Sequence, residues 1–272
     1  MKRWFSHMVL IVGLIMLAIF LRQKFFHSAP PLPSRQEVQL QMIEGWGIEE
    51  EIHLLDQQEQ ISPTTTAAVI GSSAQRTPFE VSWRADFPFL QSLPRQRSLE
   101  GYLFPDTYRV WRDELPEGLV KKQLQTFQNK FGASALTSKN VPLKTLDEVV
   151  ILASIIEKEV REPADKKIAA GIFLKRLNAG MALQSDATLS YILDSHRTRA
   201  TVSDLATDSL YNTYKHTGLP PGPICNPGED SINAVLEPTP SPYWYFLTDR
   251  EGKVFYARTL DEQNANKRKA GY

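Results

Sequence analysis

At 272 residues the chain is long enough for one sizeable domain and an accessory piece. Lys plus Arg and Asp plus Glu are equal at 31 each, so no net field recruits nucleic acid or another polyanion. Cys225 is the only cysteine, which excludes an intrachain disulfide, and His7, His27, His53, His196 and His216 are scattered without ligand spacing; neither a metal nor a cofactor is expected.

Lys2 and Arg3 precede an apolar run from Trp4 to Leu21 that Arg22 and Lys24 close. As a helix, those 18 residues rise about 27 Å, close to the roughly 30 Å of bilayer hydrocarbon, so residues 1–27 read as a single-pass anchor. A cleaved signal peptide is the competing reading, because the strict core from Met8 to Leu21 is short; Phe25, Phe26 and Pro30 argue against it. The Pro-rich stretch 28–37 is a spacer. Val38, Leu40 and Met42 alternate with glutamines as a strand, and Ile48, Ile52 and Leu55 share one face of a following helix. With a second short helix from Ser62 to Ile70, this makes a small strand-helix unit over 38–76, and GSSAQ (71–75) marks a boundary.

The larger segment, 77–272, opens with Pro78, Pro88 and Pro94, which predict mostly irregular chain with one helical turn at Phe87–Leu93. Ser98 to Val110 sets Glu100 and Asp106 among Tyr102, Phe104 and Tyr108, which suits either a sugar site or an ordinary turn flanked by core aromatics. Val120, Leu124, Phe127 and Phe131 predict an amphipathic helix after Pro116, and Pro163 opens another that Gly180 ends. Gln184 and Asp186 fall in the turn before a short helix that Ser185 or Asp186 caps. Ser203-Asp204 caps a further turn, and Tyr211 to Gly228 is a proline-stiffened loop suited to one wall of a cleft. A helix over 229–237, a hairpin of 243–248 with 254–258, and a polar helix over 259–269 complete the chain.

Between these lies Thr145 to Val160, TLDEVVILASIIEKEV, whose apolar residues cover nearly every side of a helical wheel. Such a helix is buried on all faces. Glu157 leaves it on the stripe of Val150, Ala153 and Ser154, whereas Glu159 points the opposite way. A carboxyl group on an apolar stripe is desolvated, which favours its neutral form and makes a proton donor. The plainer reading is a helix-end glutamate paired with Lys158, Arg161 or a distant arginine.

ASIIEKE (153–159), LEGYLFPDTY (99–108), GMALQSDATLSY (180–191) and YNTYKHTGLPPGPICNPG (211–228), taken together, resemble the YceG-like endolytic murein transglycosylases. The resemblance runs from about Val38 to Asn266 and implies a membrane-anchored bacterial enzyme that cuts peptidoglycan glycan strands. It implies that Glu157, the first glutamate of ASIIEKE, is catalytic, with Glu100, Gln184, Asp186, Tyr211 and Asn212 in the cleft. It further implies a LysM-like character for 38–76, a catalytic domain outside the cytoplasmic membrane, and peptidoglycan synthases as possible partners. Three features depart from the family pattern: only one LysM-like piece is evident, Lys175 replaces a usual asparagine, and Gln263 replaces a usual histidine. The expected fold is α+β, an anchor and a LysM-like unit followed by a mainly helical catalytic domain with a short antiparallel hairpin. A muramidase using Glu100, Asp106 or Asp186 as second carboxylate, and a non-catalytic glycan-binding scaffold, are the other readings.

Overall fold

A computed structural model of the chain describes residues 7, 13–17, 19–20, 35–72, 78–79, 82–132, 142–193 and 201–271. Most of the expected anchor and of the 28–37 spacer lies outside them, and among the described residues no helix is long and apolar enough to cross a membrane. The chain divides into two compact units, Met1–Gln36 and Glu37–Tyr272. Among the described residues, the second unit holds both sheets and every helix from Ile48 onward. Most of the expected boundary at 71–75 lies outside the described residues.

Strand β1 (Glu37–Gln41) is followed by α1 (Ile48–Glu59), which buries Ile48, Ile52 and Leu55, and by α2 (Pro63–Ile70). Ser62 caps α2 by accepting the Thr65 N–H at 3.2 Å, and Pro63 takes the first helical position, where its missing N–H costs nothing. The proline-rich stretch is more ordered than its composition suggests. It forms α3 (Trp83–Asp86) and a 3-10 turn at Pro88–Leu90, and the Arg84 guanidinium donates to the carbonyls of Leu90, Leu93 and Pro94 at 2.6, 2.7 and 2.8 Å.

The aromatic stretch after it ends in a strand, β2 (Thr107–Trp111), that pairs antiparallel with β1, placing Leu40 opposite Tyr108 and Val38 opposite Val110. Tyr108 and Val110 alternate inward and are core residues, so this part of the stretch is not a turn. Helix α4 (Glu117–Phe131) packs on β2 with Val120, Leu124, Phe127 and Phe131 buried at the expected spacing.

Helix α5 (Leu146–Glu159) starts at a capping box, Thr145 accepting the Glu148 N–H while Glu148 accepts the Thr145 N–H, both at 3.1 Å. Every residue from Val149 to Ile156 is buried. Full burial of each large aliphatic side chain there contributes about 1.5–3 kcal/mol. Next in the chain are helices α6 (Pro163–Asn178), α7 (Asp186–Ile192), α8 (Val202–Leu205) and α9 (Glu229–Leu236). Thr201, not Ser203, caps α8. Helices α5, α6 and α9 pack mutually, and β3 (Tyr245–Thr248) with β4 (Val254–Ala257) forms the predicted hairpin, covered by α10 (Leu260–Lys269). The architecture is mixed α and β with two small antiparallel sheets among the described residues.

Gly101 joins three of the sequence segments. It adopts φ +88°, and a β-carbon there would lie 2.5 Å from Pro223 Cγ and 2.8 Å from Val150 Cγ1. Gly101→Ala is expected to destabilise the chain by roughly 2–4 kcal/mol, combining left-handed strain with overpacking of α5 against the proline loop. Urea denaturation checks this; a shift under about 0.5 kcal/mol would show that the contact is slack.

Candidate active site

Glu157 occupies the last turn of α5, and its side chain is only 9% exposed. Two neighbouring helices aim donors at it. Lys166 of α6, its side chain 4% exposed, places Nζ 3.2 Å from Oε1 and 3.1 Å from Oε2. At the start of α9 the Gly228 N–H donates to Oε2 at 3.0 Å and the Ser231 hydroxyl donates to it at 2.5 Å. Oε2 is therefore held by three donors and Oε1 by Lys166 alone. The positive end of α9 adds to their attraction for a negative charge.

This corrects the sequence expectation of a carboxyl group desolvated on a mostly apolar stripe. The helix is buried from Val149 to Ile156 and apolar there except for Ser154, but Lys166 and Ser231 reach Glu157 from other elements and supply a polar pocket. Glu157 is ion-paired, as the plainer reading held. Its partner is Lys166, not Lys158, Arg161 or an arginine.

The loop carrying Gly228 is fixed by Asn226, which is buried. Its Oδ1 accepts the N–H groups of Gly101 and Leu103 at 2.8 and 3.3 Å, and its Nδ2 donates to Glu51 Oε1 at 3.1 Å. Its backbone brackets the turn before α1: Gly45 N–H donates to Asn226 O at 2.9 Å, and Asn226 N–H to Trp46 O at 2.7 Å. Ser154 ties the same loop to α5 by accepting the Ile224 N–H at 3.0 Å, one turn before Glu157. The 211–228 loop, α5 and the 43–47 turn thus meet at one place.

Two buried carboxyls support this junction. Burial pushes Glu51 up to about 8, against hydrogen bonds from Gln123 and Asn226 that pull the other way. Burial likewise pushes Glu100 up to about 8, opposed by the Ile48 N–H that it accepts at 3.2 Å. Both groups hold protons in the folded chain that the unfolded chain releases above its ordinary carboxyl range. Their contribution to stability is therefore complete below about pH 4.5 and declines as pH rises to about 8. Each can supply a slope of up to about 1.4 kcal/mol per pH unit. Urea midpoints measured from pH 5 to 8 should fall in the wild type and fall less steeply in Glu51→Gln; equal slopes would contradict the assignment.

The sequence-predicted site residues are not all at Glu157. Glu100 is buried at the start of α1. Gln184 is exposed at φ 55°, its N–H bound to Thr213 O at 3.0 Å. Asp186 is half-buried and accepts the Tyr214 hydroxyl at 2.6 Å. Tyr211 is half-buried, its ring 5.2 Å from that of Tyr191, with the Arg97 guanidinium nearby. Asn212 is fully buried and donates to Leu205 O and Thr207 O at 3.1 and 2.9 Å while accepting the Tyr214 N–H at 3.1 Å. Its side-chain amide thus ties the start of the 211–228 loop to the chain at Leu205 and Thr207. None of the five hydrogen-bonds to Glu157. The 184–186 segment instead faces Glu159, which accepts the Ser185 hydroxyl and whose carboxyl is raised by burial and by the charge of Asp186. Asp106 is exposed and accepts the Thr107 N–H.

Lys175 donates to Ser241 O at 3.0 Å and lies 4.3 Å from the Trp244 ring centre, and Gln263 donates to Phe246 O at 3.0 Å. Neither enters the Glu157 pocket. The residues that do, Lys166, Gly228, Ser231 and Gly45, carried one sequence signal: Gly228 precedes the acidic start of α9, the pattern of a helix N-terminus.

Comparison with known proteins bears on the whole unit. Over 175 residues the chain is 39% identical to a Bacillus subtilis (strain 168) protein named endolytic murein transglycosylase, covering 63% of this chain and 48% of that one. Over 238 residues it is 33% identical to the protein of the same name from Streptococcus pneumoniae serotype 2 (strain D39), covering 82% of this chain and 43% of that one. The chain spans about half the length of the curated relatives it matches. A crystal structure of a yceG-like protein from Listeria monocytogenes superposes with a TM-score of 0.70 at 31% identity, covering 84% of this chain and 76% of that one. The model of the YceG-like family matches residues 23–269, nearly all of the sequence, and the chain belongs to that family.

Proposed function

We propose that the chain is an endolytic peptidoglycan lytic transglycosylase, a carbon-oxygen lyase that cleaves the bond between N-acetylmuramic acid and N-acetylglucosamine with Glu157 as its acid and base. The observation that carries this is the Glu157 pocket: one nearly buried carboxyl at a helix end, with Oε2 held by three donors and Oε1 by one. A group fixed this way has in Oε1, bound by Lys166 alone, the oxygen with fewer partners to exchange a proton with substrate. The names of the relatives agree with it.

In the proposed reaction, protonated Glu157 gives its proton to the bridging oxygen as the bond from that oxygen to muramic C1 breaks, leaving an oxocarbenium-like centre. The carboxylate then takes the proton of the muramic C6 hydroxyl, whose oxygen closes on C1. The product is a 1,6-anhydro end, no water is consumed, and Glu157 is again protonated. Lys166 and the start of α9 place positive charge beside the carboxylate that the first half produces.

The wider reading is that residues 1–27 anchor the chain in a bacterial cytoplasmic membrane, with a LysM-like unit and the catalytic unit outside it. Nascent glycan near the bilayer would then be the substrate and peptidoglycan synthases the neighbours. The test of the reaction class is chromatography of muropeptides with and without borohydride reduction. Anhydro ends resist reduction and are expected; reducing muramic ends would assign the chain as a muramidase. Binding of glycan without any cleavage would assign it as a scaffold.

A further inference from the structure

A proton donor must hold a proton, yet Lys166, Gly228 and Ser231 all serve the ionised form of Glu157. One neighbouring group acts in the other direction. Glu44, in the turn between β1 and α1, lays its carboxylate on the α-carbon of Gly228: a β-carbon there would overlap Glu44 Cδ and Oε1 and lie 2.7 Å from Oε2. That same Gly228 donates its N–H to Glu157. The turn is fixed by backbone bonds, since Gly45 and Trp46 pair with Asn226, and by Gly45, where a β-carbon would lie 3.5 Å from Glu157 Cγ. Gly45 has φ +80°, so the approach of this turn to Glu157 relies on a residue without a side chain.

We propose that Glu44 is a positioning residue acting through Glu157: its negative charge, opposed by Lys166, keeps on Glu157 the proton that bond cleavage needs. Both carboxylates bear on one residue: Glu44 lies against the α-carbon of Gly228, and Glu157 accepts the Gly228 N–H. The Glu44 carboxyl is raised first by burial, next by the charge of Glu157, and is pulled down by Lys166. Charge coupling is reciprocal, so what Glu157 does to Glu44 in favour of the proton Glu44 does to Glu157. The other charged groups around the pair are Asp230 and Glu229 at the start of α9, which also raise Glu44, and Lys158 on α5, whose Cδ comes near Gly45. No sequence feature marked Glu44. It lies in the small strand-helix unit, outside the four motifs, and gives that unit a part in the chemistry besides any grip on glycan.

The inference rests on Glu157 being the proton donor, and its test separates the two ideas. Activity that needs a protonated Glu157 declines on the alkaline side of its pH profile. Glu44→Gln removes a negative charge beside Glu157 and should move that limb to lower pH. Lys166→Met removes the ammonium and should move it to higher pH. Glu44 is exposed as a residue although its carboxyl is partly buried against Gly228, so water still screens it, and the expected shift is about half a pH unit, or about threefold less activity above the midpoint. A merely structural role would scale the rate at every pH and leave the limb in place. Carbon-13 NMR titration of the Glu157 carboxyl in the full chain, assigned by its absence from Glu157→Gln, reads the same coupling without turnover. A downward shift in Glu44→Gln by both readouts is expected. Unmoved limb and titration would overturn the proposal, while absence of anhydro product from the wild type would count against the proton-donor role itself.

Discussion

Glu157→Gln is expected to lower the release of 1,6-anhydro muropeptides by about 10² to 10⁴-fold, the usual effect of removing a general acid-base group. Glutamine keeps the shape and can still accept from Gly228 and Ser231, so the fold should persist. It cannot give up and recover a proton. Lys166 then loses its counter-charge in a nearly buried pocket, and a loss of stability of a few kcal/mol would accompany the change. Muropeptide release measured on folded protein, verified by circular dichroism, separates the two effects. Retention of more than a tenth of wild-type activity would remove Glu157 from the chemistry.

Asn226→Ala should produce the largest structural effect at the site, about 3–5 kcal/mol. The buried side chain satisfies Gly101 N–H, Leu103 N–H and Glu51 Oε1, and each buried polar group left alone costs about 1–3 kcal/mol. Glu51 keeps Gln123, which moderates the sum. Because Gly228 lies two residues further on, loss of this anchor should also loosen the donor that Glu157 depends on, and activity should fall with stability. Urea denaturation gives the first quantity; a change below about 1 kcal/mol would mean that water enters and replaces the amide.

The helices were readable because periodicity is local. Val120, Leu124, Phe127 and Phe131 announce α4, and the apolar run before Glu157, broken only by Ser154, announces a helix buried on every side. Strand β2 was not readable: its five residues form a strand because β1 supplies the hydrogen bonds, and the register pairing Val38 with Val110 cannot be seen in either segment alone. The site divides in the same way. Glu157 stands out as a carboxylate where apolar residues should continue, whereas Lys166 is one of several lysines until α6 packs on α5. Asn212 shows the opposite case. Residue type and neighbouring motif suggested a ligand for substrate, whereas in the fold its amide bonds Leu205 O, Thr207 O and the Tyr214 N–H. A sequence displays which groups can form hydrogen bonds and not where those bonds are made.

Glu44, lying against Gly228, sets a second carboxylate beside the Glu157 pocket, and a second carboxylate is what a hydrolase would use to activate water. The fate of water is therefore the most direct test of a single glutamate acting first as acid and then as base. Digestion of purified glycan strands by the full-length chain in heavy-oxygen water, followed by mass spectrometry of the new muramic ends, should give products one water lighter than the reducing form and free of label. Heavy oxygen at muramic C1 would contradict the account.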